Sequence, residues 1–239
     1  MDSAKKLRVL GLIPARGGSK GVKEKNLALL CGKPLIEYSI DAAFRSKLLT
    51  DVIVSTDSQK IRDLAISLGA DAPFLRPAEL STDSALSISV ARHALEFMDS
   101  KLGERYDAIM LLQPTSPLRS ATDIDCAISM LSESDCDSLI SISDVGGSHP
   151  FRMKRVINGY LTNFLEQGFE DMRPRQLLPK VFIRNGAIYL ARTDLVMREN
   201  SFGGDRTLAY EMPSERSVNI DTELDFAVAN HILSSHRPV

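Results

Sequence analysis

Short apolar runs and helical stripes alternate along most of the chain. "RVLGLI" (Arg8–Ile13) is bounded by Pro14 and has the look of a strand buried on both faces. Pro34 then opens "PLIEYSIDAAFRS", where Leu35, Ile36, Ile40, Ala43 and Phe44 recur at helical spacing behind a helix-starting proline. "DVIVST" (Asp51–Thr56) reads as a second strand, and "SQKIRDLAISLGAD" as a helix stopped at Gly69. A polar loop leads to a helix over roughly 87–102. "YDAIMLL" (Tyr106–Leu112) is a third strand, "DIDCAISMLSES" a helix, and "SLISIS" (Ser138–Ser143) a fourth strand. Strands alternating with helices imply an α/β fold: a mostly parallel, Rossmann-like sheet with right-handed crossovers and helices on both faces.

The alternation breaks between Asp144 and Arg184, where "VGGSHPFRMKRV", "NGY" and "RPRQLLPK" supply turns and prolines. This stretch is an excursion from the sheet inside a single domain spanning 1–239. "GAIYLAR" (Gly186–Arg192) resumes the sheet. "SVNI" leads into "DTELDFAVANHILSS", a C-terminal helix with capping-box spacing at Thr222 and Asp225 and an apolar stripe of Leu224, Ala227, Val228 and Ile232.

Composition narrows the class. The 239 residues are 44% hydrophobic, enough for one substantial core. A net charge of −2 argues against nucleic-acid binding by bulk electrostatics. No run approaches 18 apolar residues, so no membrane span is expected, and Val9–Ile13 is too short for a signal peptide. Cys31, Cys126 and Cys136 form no CxxC pair, which suits a reducing compartment; the expectation is a cytoplasmic protein. Cys126 is expected to pack as a small buried group and the other two to be partly exposed. The four histidines have no metal-binding spacing and read as structural or solvated.

Against this acidic background, "IPARGGSKGVKEKN" (Ile13–Asn26) gathers Arg16, Lys20, Lys23 and Lys25 beside three glycines. It matches neither the P-loop nor the dinucleotide fingerprint. A solvated basic turn is one reading. The other is a phosphate cradle, because the loop leaves the carboxyl end of a strand, where doubly wound sheets bind ligands.

"LIPARGGSKGVKEKN" resembles the signature loop of the acylneuraminate cytidylyltransferases, the CMP-sialic acid synthetase family. "DVIVSTDS", "LRPAELSTDSALS", "LLQPTSPLR", "RPRQLLP", "RNGAIY" and "NIDTELDF" follow in the family's order, so the likeness covers nearly the whole chain. It implies a nucleotidyltransferase that couples CTP to a nine-carbon 2-keto-sugar acid with Mg2+, releasing pyrophosphate and forming a CMP-sugar. N-acetylneuraminate is the first choice of acid. Legionaminate, pseudaminate or a Kdo-like acid is the nearest alternative, and a non-catalytic nucleotide-binding module a more distant one.

By resemblance, Arg16 and Lys20 take the triphosphate, supported by Ser19, Lys25 and Asn26, while Lys23 is solvated. Arg76, Ala85 and Ser87 occupy the base-binding stretch; Ser87 could instead cap the following helix. Gln113 stands against the sugar acid, with Arg119 a brace for its loop. Asp221 is the metal carboxylate, with helix capping as its other role. Asn219 stands where relatives often carry aspartate, which leaves a second metal open. The sugar carboxylate calls for a fixed cation, and Arg173, Arg175 and Arg184 lie in or beside the excursion. Of these, Arg175 best matches the family's sugar-contacting arginine. Asn185 is retained as a sugar residue, although Ile183 stands where some relatives have arginine. The resemblance also makes the excursion a dimerisation element reaching over a partner's site, hence a homodimer.

Overall fold

The computed structural model describes residues 7–18, 21–165 and 172–235. Its main sheet has six strands: β1 (Val9–Pro14), β4 (Asp51–Ser55), β5 (Ala108–Leu111), β6 (Ser138–Asp144), β9 (Phe182–Arg192) and β10 (Thr207–Glu211). They lie in the order β10-β6-β9-β5-β1-β4. β1 pairs in parallel with β4 and β5, and β10 with β6. β9 runs antiparallel to both its neighbours, so "mostly parallel" holds and the resumed strand is the exception.

Two short hairpins stand apart. β2 (Leu29–Leu30) and β3 (Lys33–Pro34) turn through Cys31 and Gly32, both at positive φ, and β7 (Lys154–Ile157) and β8 (Tyr160–Asn163) through Asn158 and Gly159, likewise. A two-residue turn with both residues left-handed matches strand twist, so the Asn-Gly pair makes a hairpin inside the excursion.

The helices are α1 (Leu35–Phe44), α2 (Gln59–Ser67), α3 (Ser87–Leu102), α4 (Ala121–Ser132), α5 (Thr193–Glu199) and α6 (Glu223–Ser235). α1, α2 and α4 bury Ile36, Ile40, Ile61, Ile124 and Ile128 against Val9, Ile13, Met110 and Leu139 of the sheet. α3 and α5 bury Val90, Ala94, Leu95 and Val196 against Leu10, Leu12, Ile109 and Leu111 on the other face. Alternate residues of β1 and β5 thus feed two cores, which is why these strands read as unbroken apolar runs. None of the described helices is long and apolar enough to cross a membrane.

A third, smaller core carries the site. Leu30 and Leu35 pack against Ile220 and Ala229, with Phe226 and Leu233 of α6 alongside. Asn230 Oδ1 accepts from the Cys31 backbone N–H at 3.0 Å. This cluster docks the C-terminal helix beside the end of the basic loop. Cys126 corrects an expectation: it is exposed, because α4 turns Ile124, Ala127, Ile128 and Leu131 inward and leaves its neighbour facing outward. Cys31 and Cys136 are partly exposed, as expected.

Candidate active site

A cleft of about 550 Å3 opens beyond the carboxyl ends of β1 and β5. Arg16, Lys25, Asn26, Arg76, Ala85, Ser87, Gln113 and Asp221, eight of the residues singled out above, all line it. Ser19 and Lys20 lie outside the described residues. A larger cavity, about 850 Å3, sits at the amino ends of β1 and β5 among Glu96, Asp99, Glu104 and Asp107, and holds none of the predicted residues.

The basic loop and the acidic "NID" segment meet in this cleft. Lys25 Nζ donates to the Ile220 carbonyl at 2.7 Å and pairs with Asp221 Oδ1 at 3.2 Å. Gly21 lies so close that a Cβ there would stand 1.9 Å from the Asp221 carbonyl oxygen. Only glycine allows that approach. The Ile220 N–H donates to the Thr115 carbonyl at 2.8 Å, tying the same segment to the loop after β5.

Asp221 is not a helix cap. Thr222 and Asp225 form the capping box: Asp225 Oδ2 takes the Thr222 N–H at 2.8 Å, and Thr222 Oγ1 takes the Asp225 N–H at 3.3 Å. Hydrogen bonds from the Thr222 hydroxyl and the local backbone hold the Asp225 carboxyl below its ordinary value. Asp221 is thereby left to face the cleft with its side chain 66% exposed. Asn219 Nδ2 donates to Asp221 Oδ2 at 2.6 Å, whereas Asn219 Oδ1 is buried and finds no hydrogen-bond partner among the described residues.

Arg16 reaches across to Asp83, Nη1 to Oδ1 at 2.7 Å. Asn26 is buried and donates from Nδ2 to the Arg16 carbonyl at 2.9 Å, so in this structure it shapes the loop. Arg76 is only 7% exposed and donates to the carbonyls of Ser55 and Leu80. Burial pulls its pKa down, and its Nε has no partner among the described residues. Ser87 is the first residue of α3 and not its cap; Leu86 precedes the helix, with no capping side-chain bond. Arg119 is a brace, as expected: it is buried and donates to the carbonyls of Gln113 and Ala187 and to Ser39 Oγ. Desolvation lowers its pKa to about 10, still charged at neutral pH. Lys23 is exposed.

A second cavity, about 380 Å3, adjoins the first and shares Ser87 and Gln113 with it. Ile88, Leu111, Tyr189 and Phe202 make its apolar surface, and Arg184 is its one charged side chain. The rings of Tyr189 and Phe202 stand 5.9 Å apart. Asp83, Thr115 and Phe202 were not named from the sequence; Asp83 lies inside the quoted "STDSALS" motif, but nothing local marks Phe202.

Arg175 and Asn185 are not brought to the cleft. Arg175 pairs with Asp144 at 3.0 Å beside a separate cavity of about 310 Å3 within the excursion. Asn185 is buried in the sheet, where its Oδ1 accepts from Ser141 Oγ at 2.6 Å and its Nδ2 donates to Ser217 Oγ at 3.0 Å. No group of three or more metal-binding side chains occurs among the described residues.

A model of the cytidylyltransferase family matches residues 10–200, which takes in the basic loop, the "LRPAELSTDSALS" stretch and the chain through α5. The chain belongs to the cytidylyltransferase family. It is 35% identical over 223 residues to an N-acylneuraminate cytidylyltransferase of Escherichia coli O18:K1:H7, covering 93% of this chain and 51% of that protein. The chain thus spans about half the length of the N-acylneuraminate cytidylyltransferases of bacterial origin that it matches. It is 32% identical to a CMP-N,N'-diacetyllegionaminic acid synthase of Legionella pneumophila, covering 95% of this chain and 97% of that one. Among solved structures, a CMP:2-keto-3-deoxy-manno-octonic acid synthetase complexed with CTP superposes with a TM-score of 0.71 at 16% identity, covering 96% of this chain and all of that one. At that identity the likeness bears on the cytidylyltransferase fold.

Proposed function

We propose that the chain transfers CMP from CTP to the anomeric hydroxyl of a nonulosonic acid and releases pyrophosphate. The observation that carries the reading is the contact between Lys25 and Asp221, which joins a cation-lined loop and a cleft-facing carboxylate in one place. Arg16, Lys20 and Lys25, with Ser19, are read as the groups that neutralise the triphosphate, and Arg76, Ala85 and Ser87 as the wall that holds the base. Gln113, at the boundary of the two cavities, would orient the sugar acid in the second one, so that its hydroxyl lines up with the α-phosphorus.

The donor set fits one Mg2+. Mg2+ needs few protein ligands when phosphate oxygens and water complete its shell. Asp221 offers a single exposed carboxylate, and Asn219 turns its amide nitrogen toward that carboxylate and its oxygen inward. Asn219 is therefore read as a support for Asp221 and not as a second ligand. When bound, the metal would neutralise phosphate charge and lower the pKa of the attacking hydroxyl.

The nine-carbon acid is read as N-acetylneuraminate or a bacterial relative of it. Legionaminate- and pseudaminate-type acids are kept as the alternatives, since the chain is also 32% identical to the legionaminate synthase and 30% identical to a pseudaminic acid cytidylyltransferase of Campylobacter jejuni. A homodimer is proposed from the excursion, where Val156, Tyr160, Leu161, Met172 and Leu177 are all more than 60% exposed. Arg175 and Asn185 remain part of the reading only as second-copy and framework residues respectively: Arg175 projects from the excursion, and Asn185 shapes the wall of the sugar cavity. Pyrophosphate release is the test, with CTP or UTP, Mg2+ and a panel of eight- and nine-carbon keto-sugar acids. Turnover with CTP and one nine-carbon acid is expected; release with no acid, or equal release with UTP, overturns the proposal.

A further inference from the structure

The second cavity depends on a break in the sheet. Ile140 of β6 faces Tyr189 of β9, but Ile142 faces Arg184. Ile140 and Ile142 share one face of β6, since strand side chains alternate with a period of two. Their direct partners therefore share that face too. In an unbroken strand Arg184 and Tyr189, an odd number of residues apart, would point to opposite sides. The bulge at 185–188 reverses the parity.

Polar side chains take over the broken ladder. The Ile188 N–H donates to Ser141 Oγ at 2.7 Å, Ser141 Oγ donates to Asn185 Oδ1 at 2.6 Å, and the Ala187 N–H donates to the same oxygen at 3.2 Å. Gly186 has φ +79°, and a Cβ there would stand 3.1 Å from Gln113 Oε1. Only glycine meets both conditions.

We propose that Arg184 holds the carboxylate of the acid substrate, and that the bulge built by Asn185, Gly186 and Ser141 is what turns it into the cavity. The inference rests on the reading that the chain acts on a sugar acid. Four observations support it. The cavity adjoins the nucleotide cleft through Ser87 and Gln113. Among the described residues its lining holds one cation and no carboxylate, which suits a monoanion. A guanidinium matches a carboxylate with two parallel bonds. Arg175, the other cation matched to the sugar, is engaged with Asp144, and Arg16 with Asp83. Ile88, Leu111, Tyr189 and Phe202 are left for the uncharged part of the ligand.

The test is steady-state kinetics on the full chain with the most active acid, CTP and Mg2+, comparing wild type, Arg184→Gln and Arg184→Lys. Losing a charge-assisted pair should raise the KM for the acid about 10- to 100-fold in Arg184→Gln. Arg184→Lys should recover part of that loss, and the KM for CTP should stay within about twofold in both, since Arg184 is outside the nucleotide cleft. Wild type should prefer the acid to its 1-carboxamide, and Arg184→Gln should not. Ser141→Ala should raise the same KM, with no further effect when combined with Arg184→Gln, because it acts through that residue. Melting curves check folding; Arg184 is exposed, so its variants should melt as wild type does. An active wild type whose Arg184→Gln form keeps its acid KM overturns this inference alone. A wild type that releases pyrophosphate with no acid overturns the function and this inference with it.

Discussion

The cleft beyond β1 and the excursion after β6 are both rich in charged and turn-forming residues, yet they differ in how their side chains are satisfied. In the cleft, cations already meet partners from distant parts of the same chain: Lys25 reaches Ile220 and Asp221, and Arg16 reaches Asp83. In the excursion the polar contacts stay within the excursion itself, as in Arg175 with Asp144 or Lys154 with Asn163. There the apolar residues point outward, with Val156 and Leu161 opposite each other and 71% and 73% exposed. One region is a finished cavity within a single chain. The other exposes apolar side chains, and the second copy proposed above would cover them.

The contrast can be broken first at Asp221. Asp221→Ala should slow pyrophosphate release about 100- to 1,000-fold by removing the carboxylate proposed to serve the metal. Its side chain is 66% exposed, so the midpoint of denaturant unfolding should hardly move. A near-normal rate would move the metal away from this end of the molecule.

The excursion is tested by charge. Leu161→Glu should convert a dimer to a monomer in sedimentation at micromolar concentration and leave the far-ultraviolet spectrum unchanged, because nothing in the described chain covers that face. A variant that sediments as wild type does, or a wild type that is monomeric at high concentration, would remove the proposed partner.

A smaller effect is expected where β10 meets α4. Asp123 is buried and accepts from Arg216, Ser120 and Tyr210. Burial pushes its carboxyl up, but the hydrogen bonds together outweigh burial and hold it below the ordinary value. A depressed carboxyl contributes stability above its unfolded pKa, near 3.9, and loses it as pH falls through the lower folded value. The partner Arg216 has a side chain 39% exposed, which discounts the pair. Arg216→Ala should cost about 1–2 kcal/mol at pH 7 by denaturant unfolding. The two stability curves should converge once pH has fallen through the lowered folded value of Asp123. A difference that persists in strong acid would show that packing, not charge, is at stake.

Much of this was readable residue by residue. The apolar runs of β1, β4, β5 and β6 and the capping box at Thr222 are local patterns, and each appeared where local chemistry put it. The basic loop and the "NID" segment also announced their chemistry, although 195 residues separate Lys25 from Ile220. Asn185 was not readable in this way. The resemblance of "RNGAIY" to the family motif implies a ligand contact, whereas in the folded chain the amide bonds Ser141 and Ser217. β10 and α5 were missed for other reasons: β10 (TLAYE) has no continuous apolar run and no buried residue, and α5 has seven residues, too few for helical periodicity to register.

What the sequence determined alone is therefore the set of chemical groups and the local elements that carry them, because hydrophobic period, turn residues and caps act over a few residues. Which face Arg184 presents, that β9 runs against its neighbours, and that Gly21 touches Asp221 were decided only in the folded chain. Those features depend on register and on the small core of Leu30, Leu35, Ile220 and Ala229. Contacts between segments far apart in sequence leave no periodic trace in either one.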